Sequence, residues 1–160
     1  WLIDHPQDAG TRALLAESLL KRKQYATATE HYLVLNKSNP DNIVVLNNLA
    51  WALNETGDKR AVSFAEQALK LQPENPAVLD TYGWLLVHSG NPAKGLDLLK
   101  KAQSKAPDAA DIQWHLAYAF NANGDKARAR QELKTLLDRR ASFAGEAEAR
   151  ALHQHLTATP

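Results

Sequence analysis

The side chains most able to do chemistry in this chain are its six histidines, and their spacing argues against a metal site. His153 and His155 are two residues apart, which places them about 200° apart around a helix. Two histidines on opposite faces of one helix do not bind the same ion. We therefore interpret the histidines as solvated side chains and expect no bound metal.

Acid–base catalysis is the other chemistry that the residues suggest. Asp80 and His88 are eight residues apart, which separates them by two turns, or about 12 Å along a helix axis. The sequence has no nucleophile elbow, phosphate-binding glycine loop or clustered pair of acids. Cysteine is absent, so disulfides and thiol chemistry are excluded. The sequence predicts that the chain is not an enzyme and needs no cofactor.

The elements that would have to position a site recur along the chain. Pro6, Pro40, Pro73 and Pro107 lie 34, 33 and 34 residues apart. Between successive prolines, two segments with helical spacing of apolar residues flank a short turn. Each unit is therefore predicted to be a helical hairpin, and hairpins of this size cover their apolar faces by stacking on their neighbours.

Small residues recur at matching positions in the two helices of each hairpin. They allow the helices to approach, because bulky side chains would block the packing of ridges into grooves. The pairs are Ala16 and Ala28, Ala50 and Ala61, Gly83 and Gly95, and Ala117 and Ala129. Three turns have a glycine where a helix end favours left-handed backbone, namely Gly57, Gly90 and Gly124. The first turn has Lys23 at that position.

These prolines, small residues and glycines resemble the tetratricopeptide repeat family over roughly residues 6–140. The resemblance implies an all-α fold, a right-handed α-solenoid of about four tetratricopeptide hairpins with a C-terminal capping helix. The expected units are repeat 1 over 6–39, repeat 2 over 40–72, repeat 3 over 73–106, repeat 4 over 107–140, and a loop with the capping helix over 141–160. We expect residues 1–5 to be the remnant of a preceding repeat helix.

A narrower resemblance comes from three phrases in the sequence. Asn48-Leu49-Ala50-Trp51, Asp80-Thr81-Tyr82-Gly83-Trp84 and the ending after Phe143 are similar to bacterial tetratricopeptide lipoproteins of exopolysaccharide and PEP-CTERM sorting systems. That resemblance implies a periplasmic or outer-membrane-associated protein. The chain has no methionine and starts within an apolar segment, so we expect it to be part of a longer protein.

Composition narrows the classes of partner. An apolar content of 44% fits a globular domain, and no apolar run approaches the roughly 20 residues of a membrane span. The formal net charge of +1 gives no electrostatic reason to expect nucleic acid. We expect no nucleic acid partner and no membrane contact from this segment.

In the implied solenoid, the first helix of each hairpin lines a concave groove. The residue after each first small residue points inward, which selects Glu17, Trp51, Trp84 and Tyr118. Residues one turn away should surround them, namely Asn47, Asn54, Asp80, His88, Asp111, Trp114 and Asn121. Aromatic side chains suit recognition surfaces because they provide large contact area at little cost in rotamer entropy. The alternative is that these rings pack as ordinary core.

Three functions compete at this point. The leading one is a non-catalytic scaffold that binds a peptide or a segment of a partner protein in the groove, with preference for apolar and basic side chains. The first helices of repeats 2 to 4 contain no lysine or arginine, which argues against a clamp for a carboxylate. The alternatives are self-association, as a homo-oligomer, through the exposed solenoid end at Trp1 and Leu2, and carbohydrate contact by the aromatic row.

Overall fold

The structure, a computed structural model, describes residues 1–158. These residues form four helical hairpins and one further helix. Over that range the backbone forms nine helices and no strand, so the predicted all-α fold is confirmed. The helices are α1 (Ala9–Lys21), α2 (Tyr25–Ser38), α3 (Ile43–Glu55), α4 (Ala61–Leu71), α5 (Pro76–His88), α6 (Pro92–Lys105), α7 (Ala110–Ala122), α8 (Lys126–Asp138) and α9 (Glu146–Ala158). The last two residues of the expected capping segment lie outside the described range.

The hairpins group into two compact units. The first unit is Trp1–Pro73, and the second begins at Glu74. In the first unit α1 packs on α2 and α3 on α4, while α2 also packs on α3. In the second unit α5 packs on α6, α6 on α7, α7 on α8, and α8 on α9. The first helices α5 and α7 also touch each other, so they share one side of the second unit.

Several helices start at a short polar side chain. The backbone N–H of Thr11 donates to Asp8 Oδ1 at 2.9 Å, and the N–H of Val45 donates to Asn42 Oδ1 at 3.2 Å. Asn75 caps α5 in the same way, with Pro76 at the first helical position. Such caps satisfy backbone donors that have no partner within the helix.

Helix ends within the hairpins share a left-handed residue. Gly57, Gly90 and Gly124 have φ of 73°, 85° and 84°, and Lys23 has φ of 59° at the matching position of the first turn. The first turn therefore keeps the same geometry although its residue carries a Cβ. The second turn differs, because five residues, 56–60, separate α3 from α4.

Each unit has its own apolar core. In the first unit the fully buried large side chains include Tyr32, Leu46, Leu49 and Leu53. In the second unit Leu99, Leu133 and Leu136 are fully buried, and Ala149 and Leu156 of α9 join the same cluster. The outward positions of α9 are mostly polar, so α9 covers α8 on one side and faces solvent on the other.

The residues before α1 add little regular structure. Residues 2–4, where the remnant of a preceding helix is expected, form a hydrogen-bonded turn. Among the helices described, none combines the length and the apolar character that crossing a membrane would require.

Candidate functional site: an aromatic cluster on α5 and α7

Aromatic rings gather where α5 and α7 meet in the second unit. We call Trp84, His88, Trp114, His115 and Tyr118 the aromatic cluster. Trp84 and Tyr118 are 34 residues apart, one repeat length, and therefore occupy equivalent positions on neighbouring first helices. Their ring centroids are 5.0 Å apart. The repeat period thus brings together two rings that the sequence assigns to the same groove.

The rings of the cluster support one another. Trp114 meets Tyr118 edge-on at 5.7 Å and lies 6.4 Å from Trp84. His88 stacks in parallel on Tyr118 at 5.3 Å and touches Trp84 at 4.2 Å. Aromatic pairs at 4.5–7 Å contribute about 0.5–1.5 kcal/mol each beyond their buried area. The outer rings are therefore held in place before any ligand arrives.

Burial divides the cluster into an outer and an inner layer. His88 is exposed, and Trp84 and Tyr118 are half-buried. Trp114 was expected to face the groove, but it is only 6% exposed and belongs to the core. Its indole edge lies against the backbone of Gly145, in the loop that precedes α9. The loop covers Trp114 because Gly145 has no side chain to keep the two apart.

Asp80 is the second expected groove residue that the structure buries. Its Oδ1 lies 2.8 Å from His115 Nδ1, and both side chains are almost fully covered. A carboxylate accepts hydrogen bonds, so Nδ1 of His115 is the donor. The sequence prediction placed Asp80 beside the groove aromatics and compared it only with His88 of the same helix, whereas its partner lies 35 residues further on, one repeat plus one residue. That offset is the signal that could have found His115. The interpretation of the histidines as solvated side chains is wrong for His115, which is buried.

The remaining predicted residues of the second unit lie at the margin of the cluster. Asp111 is exposed, and its Oδ1 accepts the backbone N–H of Ala144 at 3.1 Å. It therefore holds the loop before α9. Asn121 is half-buried, one turn beyond Tyr118.

The first unit holds the other predicted residues. Trp51 is half-buried, and Asn54 donates from Nδ2 to Glu55 Oε1 at 3.4 Å. Asn47 is half-buried, with a covered Oδ1 that finds no hydrogen-bond partner among the described residues. Glu17 is exposed and pairs with Lys21 at 2.6 Å.

Charge is distributed unevenly over the helices of the second unit. The first helices α5 and α7 contain Asp80 and Asp111 but no lysine or arginine. The second helices α6 and α8 carry exposed cations, namely Lys94, Lys100, Lys101, Lys105, Lys126, Arg128, Arg130 and Lys134. The aromatic cluster therefore lies on helices without fixed positive charge.

The described part of the chain offers no constellation for metal chemistry. Within residues 1–158, no three histidine or acidic side chains are placed to hold an ion. The aromatic cluster can offer ring faces and one exposed imidazole to a ligand, which suits binding by stacking and packing.

A comparison with known families decides what these hairpins are. The family described as tetratricopeptide repeat matches residues 86–156, the stretch that contains α6, α7 and α8. The chain carries tetratricopeptide repeats. The resemblance predicted from the prolines and small residues is thereby confirmed.

Curated relatives with tetratricopeptide repeats are much longer than this chain. TPR repeat-containing protein PA4667 of Pseudomonas aeruginosa is 31% identical over 112 residues, which cover 67% of this chain and 18% of that protein. Tetratricopeptide repeat protein 21A of Mus musculus is 33% identical over 94 residues, which cover 56% of this chain and 7% of that protein. The chain thus spans less than a fifth of either relative.

Solved structures share the tetratricopeptide fold at low sequence identity. The thermophilic TPR protein TTC0263 of Thermus thermophilus aligns with a TM-score of 0.77 and 20% identity, covering 98% of this chain and 84% of that chain. MamA of Desulfovibrio magneticus RS-1 aligns with a TM-score of 0.67 and 20% identity, covering 82% of this chain and 75% of that chain. An O-GlcNAc transferase of Thermobaculum terrenum aligns with a TM-score of 0.73 and 22% identity, covering 83% of this chain and 27% of that chain.

Proposed function

We propose that this chain is a non-catalytic scaffold that binds a peptide or a segment of a partner protein against its first helices. Tetratricopeptide repeats in general are scaffolds for protein–protein interaction. The observation that supports a site on this chain is the pair Trp84 and Tyr118, which are half-buried, 5.0 Å apart and flanked by exposed His88. Rings that are already packed bind with little loss of rotamer freedom.

The chemistry of the cluster favours one kind of ligand. Ring faces attract apolar side chains and, through their negative quadrupole, the cations of lysine and arginine. Because α5 and α7 carry two aspartates and no cation, an acidic ligand would meet no opposite charge there. The expected ligand is an extended or helical peptide with apolar and basic side chains.

By a scaffold we mean a protein that binds a partner and does not catalyse a reaction. The Thermobaculum terrenum protein is a transferase by name, and this chain covers 27% of it. A repeat array of this kind can therefore belong to a chain with a catalytic part elsewhere. Our proposal assigns to residues 1–158 the binding function alone.

Selection of peptides from a random library on the purified protein, followed by titration, tests the proposal. Trp84→Ala and Tyr118→Ala should each weaken the selected peptide at least tenfold, about 1.4 kcal/mol, as expected for central aromatic anchors. Trp1→Ala is the matched control, because it removes an exposed tryptophan from the first unit. Unchanged affinity in both cluster variants, or micromolar binding of acidic C-terminal peptides, would contradict the proposed site.

Self-association is a second candidate, supported by apolar exposure in the first unit. Ile3, Leu14 and Trp1 are 94%, 71% and 69% exposed. Leu14 is equivalent by the repeat period to Asn48, which reaches the preceding hairpin by donating to the Tyr32 hydroxyl at 3.1 Å. The face of α1 around Leu14 therefore corresponds to the face of α3 that packs against the preceding hairpin. Sedimentation of wild type and Leu14→Glu over a range of concentrations tests this, since a wild-type monomer throughout removes the candidate.

Carbohydrate contact by the aromatic row stays a prediction, as does the PEP-CTERM resemblance that also favours it. Quenching of tryptophan fluorescence by oligosaccharides would test it.

A further inference from the structure

The outer rings of the aromatic cluster lie above a buried polar pair, which His115 of the cluster forms with Asp80. His115 on α7 is 6% exposed and Asp80 on α5 is 9% exposed. The His115 ring stacks against the Trp84 indole with centroids 4.1 Å apart and planes 30° from parallel. Asp80, His115 and Trp84 therefore form consecutive layers, with the carboxylate buried and the indole half-exposed.

From this layering we infer that His115 is a positioning residue for ligand binding, and that it sets the orientation of the Trp84 indole. The inference rests on the proposed function, because it concerns the same ring that is expected to contact the peptide. His115 itself does not reach the ligand, since it is buried beneath Trp84.

The geometry gives His115 a fixed plane. The hydrogen bond from Nδ1 to Asp80 Oδ1 at 2.8 Å removes the freedom of the imidazole to rotate. A flat ring held in this way is a platform, and Trp84 finds on it a preferred stacked orientation. Trp84 also contacts His88, which is exposed, and Tyr118, which is half-buried, and it lies 6.4 Å from Trp114. The buried imidazole adds a ring face on the inner side, where those two outer rings do not lie.

A simpler role is that Asp80 and His115 only fasten α5 to α7. The two roles make different demands on residue 115. Fastening needs a hydrogen-bond donor near the position of Nδ1, which an asparagine amide supplies. Positioning needs a ring face beneath the indole, which asparagine lacks. His115→Asn therefore separates fastening from positioning, and Asp80→Asn keeps an acceptor for the imidazole and should leave the platform intact.

The experiment uses two measurements on the whole chain. The first is the ¹H–¹⁵N resonance of the Trp84 indole without ligand, and the second is the affinity for a peptide selected on the wild type. We expect His115→Asn to shift or broaden the Trp84 resonance and to weaken the peptide about tenfold. The affinity of Asp80→Asn for the peptide should stay within about twofold of the wild-type affinity. His88→Ala is the control for the loss of a ring that contacts Trp84 from the exposed side of the cluster.

The outcomes separate this inference from the proposed function. A His115→Asn protein with the wild-type Trp84 resonance and affinity overturns the inference, while loss of binding in Trp84→Ala still upholds the site. If Trp84→Ala and Tyr118→Ala both bind as well as wild type, the proposed function fails, and the ligand-free resonance still decides whether His115 orients the indole. If His115→Asn does not fold, the inference about His115 is tested instead by nuclear Overhauser contacts between the His115 and Trp84 rings in wild type. Their absence, or their loss on saturation with peptide, would overturn the inference.

Discussion

A Cβ atom on Gly95 would lie 2.6 Å from the backbone oxygen of Gly83, so α5 and α6 meet backbone to backbone at these two residues. A backbone atom cannot turn aside as the end of a flexible side chain can. The close approach also places Gly95 against Val87, whose Cγ2 is 2.6 Å from the same Cβ position. The pair of small residues in this hairpin is therefore a requirement of packing.

Gly95→Ala should lower the free energy of unfolding by about 1–3 kcal/mol, the usual cost of adding a group to a filled core. It should do so although alanine favours a helix over glycine by roughly 1 kcal/mol. Gly10→Ala is the matched control, because the nearest atom to its Cβ would be Asp8 Oδ1 at 3.5 Å, an ordinary van der Waals distance. Urea unfolding measures both variants. A Gly95→Ala protein as stable as wild type would show that the helices separate without cost.

A substitution at Lys23 should stabilise the protein, in contrast to Gly95→Ala. Its φ of 59° is the left-handed conformation that the other three turns give to glycine, and a Cβ makes that conformation unfavourable by about 1–2 kcal/mol. Lys23→Gly should therefore raise the free energy of unfolding, by up to about 1 kcal/mol after the added entropy of the unfolded chain is subtracted. Lys37→Gly, at an exposed position of α2, should lower the free energy of unfolding. A loss of stability in Lys23→Gly would contradict the assignment of strain.

The sequence predicts the helices well because their ends are set by local chemistry. Asp8, Asn42 and Asn75 cap α1, α3 and α5, and α3, α5 and α7 each end two residues before the glycine predicted for their turn. Caps and turns involve hydrogen bonds over three or four residues, so the residue types at hand determine them. The expected tetratricopeptide hairpins follow from these local signals repeated at a fixed period.

The candidate site is predicted less completely, because its layers depend on distant residues. Trp84 and Tyr118 are found together, as the period requires. Asp80 and Trp114 are buried instead of facing a ligand, since their cover comes from His115 and from the loop at Gly145. Periodicity indicates the side of a helix on which a residue lies, but it does not tell which neighbour covers that side.

Acid should remove a stabilising contact at the start of α1. The Thr11 backbone N–H, its hydroxyl and the Trp1 indole donate to Asp8 and lower the pKa of its carboxyl from 3.8 to about 2. A depressed pKa in the folded state means that the contribution is present above the unfolded pKa and is lost as pH falls toward 2. The advantage in melting temperature of wild type over Asp8→Ala should thus shrink between about pH 4 and pH 2.

Asp8→Asn is the control for this prediction, because asparagine caps a helix about as well as aspartate and does not titrate. Its advantage over Asp8→Ala should stay constant across the same range. If wild type keeps its full advantage at pH 2, the hydrogen bonds from Thr11 and Trp1 do not depend on the charge of Asp8.

The contact between Gly145 and Trp114 predicts how α9 is attached. A Cβ on Gly145 would overlap the indole nitrogen of Trp114 and lie 2.5 Å from its Cδ1, and the Trp114 ring is packed on its other sides. Gly145→Ala must therefore move the loop before α9, which Asp111 also holds through Ala144. We expect a loss of about 1–3 kcal/mol in stability and faster amide exchange in α9.

Hydrogen exchange read residue by residue distinguishes a local effect from a global one. If the loop is the hinge of α9, exchange should rise in α9 and remain unchanged in α5 and α6, because local opening involves only the contacts that a segment makes. Ser142→Ala is the control, since it changes an exposed residue of the same loop. Equal protection of α9 in Gly145→Ala and wild type would mean that Ala149 and Leu156, which are buried in the core of the second unit, hold the helix without help from the loop.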